Sequence, residues 1–283
     1  MRSAFFVRPV ARDGRIAPQV SATTEATIAL LRERGVRVDV VVPEAEPWDL
    51  GALKPEHDLY VLKSKTPLSL SLAGALEAAG ARTVNRVAAS GLAKDKVLHS
   101  ALLARAGVPA PRAWACACGP ALRSLLSGIG GAWLLAKPPG GSMARGIHRL
   151  GDPSDLEGEA GRALVEGMAS RSGSPRPMLL QEEVPSDGLD LKLYVVGDWV
   201  AAIRRPFPAR TEAEKRGRPA EVPSAIREAA LACGRALGLE LYGVDVLTRG
   251  DRFWIVDVNA FPSYKGIEEG PRRVADYLLA AGG

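Results

Sequence analysis

Asp245, Asp257 and Asn259 lie in an apolar stretch, residues 241–266 (LYGVDVLTRGDRFWIVDVNAFPSYKG), that reads as two strands, a tight turn and a following loop. Side chains alternate along a strand, so Asp257 and Asn259 share a face. A hairpin turning at residues 248–252 brings Asp245 to that face in any register that pairs odd-numbered with odd-numbered residues. Two carboxylates among Val, Ile, Leu and Trp repel each other and are costly to desolvate unless a cation holds them. Oxygen-only ligands favour a hard divalent ion, and Mg²⁺ typically combines a few carboxylates with substrate phosphates. The competing reading is a polar edge hairpin whose acids are solvated.

Candidate phosphate ligands lie upstream. Lys137 ends the apolar run GAWLLAK and leads into PPGGSMARG, whose backbone N–H groups can surround phosphate oxygens. The spacing predicts a helix over 94–106 whose first turn carries Lys94, Asp95 and Lys96. Basic residues there oppose the helix macrodipole unless they serve another purpose, such as a phosphate. Arg8, Lys63 and Lys65 fall at the carboxyl ends of predicted strands, where open α/β sheets bind ligands, and could hold an anionic substrate. Solvated surface charge is the alternative for each. The basic segment 208–223, with Arg210, Lys215, Arg216 and Arg218, is expected to be a mobile loop able to close over a substrate.

The elements that must position these groups can be read from periodicity. AFFVRPV, VRVDVVV, HDLYVLK and ARTVN read as strands separated by helical patterns over 23–34 and 68–80, so residues 1–88 form a small α/β lobe with a parallel sheet. Residues 89–177 form a central lobe, with strand 131–137, the glycine-rich loop and a helix within 151–177. Residues 178–283 form a C-terminal lobe: MLLQEEV is a strand, and DLKLYVVGDWVAAIRRPF is a hairpin turning at Gly197-Asp198. A helix capped by Ser224 comes next, then the metal hairpin, then a helix over 272–281.

Composition bounds the function. The 283 residues are 47% hydrophobic and 24% charged, as in ordinary globular proteins, with a net charge of +5. That charge suits small anions and nucleotides. No basic block with interleaved aromatics suggests nucleic acid, and no apolar run is long enough for a membrane span. Cys116, Cys118 and Cys233 make no disulfide framework and fit reduced thiols in a cytoplasm. With only His57, His99 and His148, a nucleophile–histidine triad is not expected.

Taken in order, LLAKPPGGSMARGI, LLQEEVPSDGLDLKLYVVGDWVAAIRRP and GVDVLTRGDRFWIVDVNAFPSYKGI resemble the ATP-grasp superfamily over roughly residues 85–270. The lysine, the glycine-rich loop and the VVGD hairpin resemble RimK-type amino-acid ligases, whereas DVNAFPSYKG is nearer to ATP-grasp inositol polyphosphate kinases. The resemblance implies an ATP-grasp fold behind the α/β lobe, with ATP between the central and C-terminal lobes. Lys96 and Lys137 match the phosphate-holding lysines, and Gly140, Gly141, Ser142 and Gly146 belong to the matching lid loop. Gln181, Glu182, Glu183 and Val184 match the adenine hinge, and Asp190 the acid near the ribose. Lys192 and Arg205 match the basic positions near the transferred phosphate. Asp245, Asp257 and Asn259 match the ligands of Mg²⁺, with Mn²⁺ as the alternative ion. Ligases usually carry Glu at the position of Asp257.

The activity this resemblance implies is that of a carboxylate–amine ligase acting through an acyl phosphate, with a small anionic or amino-acid substrate. Its alternatives are a kinase that phosphorylates a hydroxyl and a nucleotide-binding regulator. A homo-oligomer is compatible with either enzyme.

Overall fold

In the computed structural model, which describes residues 1–9, 21–137, 146–168 and 177–283, the chain begins with a parallel sheet. Strands β1 (Ser3–Val7), β2 (Arg37–Val41), β3 (Leu59–Leu62) and β4 (Thr83–Val84) lie in the order β2-β1-β3-β4. Between them run α1 (Ala22–Glu33), which buries Thr24, Thr27, Ile28 and Leu31 at helical spacing, and α2 (Pro67–Ala78). Thr66 starts α2 by accepting from the Ser69 N–H, with Pro67 in the first turn.

The helix expected over 94–106 is α4 (Lys96–Arg105), and a helix that was not expected, α3 (Val87–Lys94), precedes it with a break at Asp95. The Asp95 carboxylate accepts from the N–H groups of Val97 and Leu98, both at 3.0 Å, and so caps α4. Capping leaves Lys96 as the first helical residue, which projects it from the helix start.

The next unit is a four-stranded antiparallel sheet of β5 (Ala113–Cys116), β6 (Leu134–Lys137), β7 (His148–Leu150) and β8 (Met178–Glu182), in the order β5-β8-β6-β7. Its inner face packs on α5 (Gly119–Gly128) and α6 (Glu159–Met168) through Leu122, Leu126, Leu134, Leu164 and Leu180. Alternation along β8 therefore puts Met178 and Leu180 in that core and Gln181 on the opposite face.

The third sheet runs β11-β10-β9-β12-β13, all antiparallel, from β9 (Leu189–Val196), β10 (Trp199–Pro206), β11 (Arg218–Ala220), β12 (Leu241–Arg249) and β13 (Arg252–Ala260). Leu191, Leu193, Val195, Val244 and Val258 pack on α3, α4 and α8 (Ser224–Leu237). Tyr194, Val196, Ile203 and Leu241 pack on β1, α1 and α9 (Gly270–Ala281). On β9 that second face continues past Tyr194 to Lys192 and Asp190, so one row of side chains passes from core to site.

Two local expectations change. Ser224 is the first residue of α8 and Pro223 holds the cap position. The segment expected as a mobile loop contains α7 (Glu212–Arg216), closed by a Thr211–Glu214 capping box, and β11, which pairs with β10. Gly266, at φ +78, makes a close approach possible here: a Cβ on it would sit 1.9 Å from the Arg216 carbonyl oxygen.

Asn85 joins the parallel sheet to the antiparallel one. Its side-chain oxygen accepts from the Glu240 and Leu241 N–H groups at 2.8 Å, and its amide donates to the Leu241 carbonyl at 2.7 Å. Because Asn85 is fully buried, Asn85→Ala leaves these backbone groups unsatisfied and should cost about 3 kcal/mol, read as a lowered denaturation midpoint at unchanged slope. Among the described residues, no helix is long and apolar enough to cross a membrane.

Candidate functional site

The β12–β13 register pairs Asp245 with Asp257 and Gly243 with Asn259, so the three oxygen-bearing residues do share a face. The register shifts by one residue beyond this point, because Val256 is left opposite no partner between Ile255 and Asp257. On the other side of β12, Asp245 pairs with Lys192 of β9, and Asp190 pairs with Arg205 of β10. Cross-strand neighbours stand about 5 Å apart, which is why the charges interlock.

Lys192 Nζ lies 2.8 Å from Asp245 Oδ1, and the Arg205 guanidinium 3.0 Å from the same oxygen. Arg205 also grips Asp190 with two bonds of 2.7 and 2.9 Å. Lys96 Nζ reaches Asp257 Oδ1 at 3.1 Å from the start of α4. Lys137, at the end of β6, donates to Gln181 Oε1 and lies 3.5 Å from the Val256 carbonyl. Four cations from three parts of the fold therefore surround two carboxylates.

Burial alone would push the Asp257 carboxyl up, but Lys96, His99, Lys137 and Lys192 outweigh it and hold Asp257 at about 2. Asp190 goes the other way: burial raises it, and the bonds from Arg205 compensate only in part. Burial likewise lowers Lys137. A site in which four cations crowd around two acids is built to receive a polyanion.

A hard divalent ion fits the donor set. Asn259 Nδ2 donates to Asp245 Oδ2 at 3.4 Å and Asp257 Oδ2 at 3.2 Å, and a half-turn of that amide would present its oxygen beside the two carboxylates. Among the described residues, no cluster of three or more His, Cys, Asp or Glu side chains could hold a metal. An ion here would rest on two carboxylates, one amide and the oxygens of a bound phosphate.

Of the other expected site residues, Gly140, Gly141 and Ser142 lie outside the described residues, and Gly146 sits at their edge with φ +71. Asp190, expected near a ribose, is 3% exposed and accepts both bonds from Arg205. In the expected hinge, the Glu182 and Glu183 N–H groups are already taken by the Arg112 and Trp133 carbonyls, and the Glu183 carboxylate pairs with Arg149 at 2.7 Å. Val184 lies in irregular backbone past the end of β8.

Among known proteins, a family model described as the inositol 1,3,4-trisphosphate 5/6-kinase ATP-grasp domain matches residues 208–280. A probable alpha-L-glutamate ligase of Shewanella loihica is 26% identical over 230 residues, 78% of this chain and 74% of its own. The solved D-cycloserine synthetase DcsG has a TM-score of 0.73 at 20% identity, over 100% of both chains. The chain has the ATP-grasp fold. The ATP-grasp ligase PsnB, solved with a minimal precursor, Mg and ADP, has the same fold, with a TM-score of 0.69 at 21% identity over 99% of this chain and 97% of its own.

Three features of the site lack a clear sequence signal. His99, one turn after Lys96, is buried with no hydrogen bond on Nδ1 among the described residues, and it helps to hold Asp257 ionised. Gly243 gives Lys192 its path, since a Cβ there would lie 3.1 Å from Lys192 Cε. The Val256 bulge turns a carbonyl toward Lys137. Only Gly243 could have been suspected, as a glycine two residues before Asp245 inside a strand.

Proposed function

We propose that the protein is an ATP- and Mg²⁺-dependent ligase that joins a carboxylate to an amine through an acyl phosphate. The observation that carries this reading is the convergence of Lys96, Lys137, Lys192 and Arg205 on Asp245 and Asp257, in the fold of ATP-dependent ligases. Asp245, Asp257 and Asn259 would hold Mg²⁺, which when bound neutralises phosphate charge. With those carboxylates engaged by the ion, Lys96 and Lys192, now paired with them, would be free to meet phosphate oxygens. The substrate carboxylate attacks the terminal phosphorus, ADP leaves, and an amine then displaces phosphate from the acyl phosphate. The chain's part is alignment and charge neutralisation, and no side-chain nucleophile is required.

The relative named an alpha-L-glutamate ligase makes L-glutamate the first substrate to try. A panel of free amino acids and dipeptides, each offered as acid and as amine with MgATP, should release free phosphate only when both partners are present. The match of residues 208–280 to a kinase domain supports a second reading, phosphoryl transfer to a hydroxyl. That activity would yield ADP and a phosphorylated product without free phosphate. ADP formation that needs a polyol and no acid would replace the ligase reading.

Lys137 tests the nucleotide side separately. Lys137→Ala removes a cation that burial has already made costly, and should weaken MgATP binding about 10-fold or more in equilibrium titration. Unchanged nucleotide affinity would remove Lys137 from the phosphate site.

A further inference from the structure

Lys65 stands just past the end of β3, where the parallel sheet meets the loop after β13. Three donors of the N-terminal lobe hold that loop. Thr23 Oγ1 donates to the Ser263 carbonyl at 2.6 Å, Lys63 Nζ donates to the Phe261 and Pro262 carbonyls at 2.6 Å each, and Lys65 Nζ donates to the Ala260 carbonyl at 3.1 Å. Phe261 and Tyr264 take left-handed backbone, φ 40 and 46, so the loop needs such restraint.

The two lysines differ in what they have left to give. Lys63 is spent on two carbonyls and the Phe261 ring, 4.5 Å from its centroid. Lys65 makes one hydrogen bond and, among the described residues, no carboxylate pairs with it, which leaves two N–H donors. The charges that bear on it are Asp257, Lys192, Lys96 and Lys94. Asp257 is already paired with Lys96, and burial together with the three ammoniums brings Lys65 down to about 8. A partly buried cation among cations is expensive unless an anion completes it. Lys65 comes from a different sheet than Lys137, Lys192 and Arg205, and its bond to Ala260 sets its ammonium next to the residue that follows Asn259.

We propose that Lys65 is a catalytic residue of the acid half-reaction, holding one oxygen of the substrate carboxylate that becomes phosphorylated. The assignment rests on the ligase reading. One carboxylate oxygen accepts from Lys65 while the other attacks the γ-phosphorus; the P–O bond to ADP breaks and its electron pair leaves with ADP. The oxygen on Lys65 becomes the acyl carbonyl oxygen. When the amine adds, the C–N bond forms, negative charge collects on that oxygen, and the ammonium stabilises it until the C–O bond breaks and phosphate departs; the amine proton passes to solvent.

The test uses the full chain, MgATP and the acid–amine pair of the panel that gives the fastest phosphate release. Lys65→Met should lower kcat/KM for the acid about 100-fold and leave the MgATP dissociation constant within about 2-fold, and Lys65→Arg should recover at least a tenth of the loss. In the wild-type protein, saturating acid should shield Lys65 from acetic anhydride, as read by mass spectrometry, while MgATP alone should not. That second measurement carries the test if Lys65→Met does not fold. Acid-dependent release that survives Lys65→Met, or a loss of MgATP affinity at unchanged acid KM, overturns the assignment and leaves the ligase reading standing. No acid-dependent release by the wild type defeats both.

Discussion

Asp257→Asn should reduce ATP-dependent turnover about 10³-fold or more while the chain still folds. Lys96, His99, Lys137 and Lys192 hold the Asp257 carboxyl at about 2, and Asp257 is the common counter-charge for the three lysines. The substitution keeps the shape and removes the charge, so an ion held by Asp245 and Asn259 loses its second carboxylate. Divalent-ion affinity, read by titration in the presence of ADP, should fall with the turnover. Asp245, the acid opposite it across the strands, is already held by Lys192 and Arg205, so it does not replace Asp257. Activity within 10-fold of wild type would mean that the hairpin acids are structural.

Arg205→Met should be the most destabilising single change at the site, by about 3–5 kcal/mol, because it strands two acids at once. Asp190 would lose both of its charge-assisted bonds while remaining buried, and Asp245 would lose one of its two cations and keep Lys192. The loss should depend on pH with a definite sign. Burial already holds the Asp190 carboxyl above its unfolded value of 3.8, and loss of the guanidinium raises it further. The folded variant then binds a proton that the unfolded chain has released, so its stability falls as pH rises from about 4 through the folded pKa. Denaturant unfolding at pH 5 and pH 8 measures this. A second substitution, Asp190→Leu, should recover much of the stability and none of the turnover. A loss below about 1 kcal/mol would contradict the pairing.

The shared face of the hairpin was legible because it rests on a period of two: Asp245, Asp257 and Asn259 fall on one face by alternation, and the Gly250-Asp251 turn marks where pairing begins. Alternation does not reveal the bulge, since an extra residue at Val256 changes the register without changing the run of apolar residues. The break at Asp95 was hidden by helical periodicity that continues through it, although an Asp ahead of two helical N–H groups is the residue a cap requires. The 208–223 segment misled because its polarity matches a solvated loop, whereas its order comes from a capping box and from pairing with β10. Asp190 and Arg205 were visible as separate charges; that they consume each other is a consequence of strand register, which composition cannot supply.

A substrate carboxylate that is phosphorylated and then captured by an amine must leave one of its oxygens behind on phosphorus. Supplying the acid with ¹⁸O in its carboxylate and analysing the released phosphate tests this directly. The acid-derived oxygen stays with phosphorus when the C–O bond of the acyl phosphate breaks, so inorganic phosphate should carry a single ¹⁸O for each C–N bond formed. Unlabelled phosphate alongside amide product, or a phosphorylated hydroxyl with no phosphate released, would contradict an acyl-phosphate ligase.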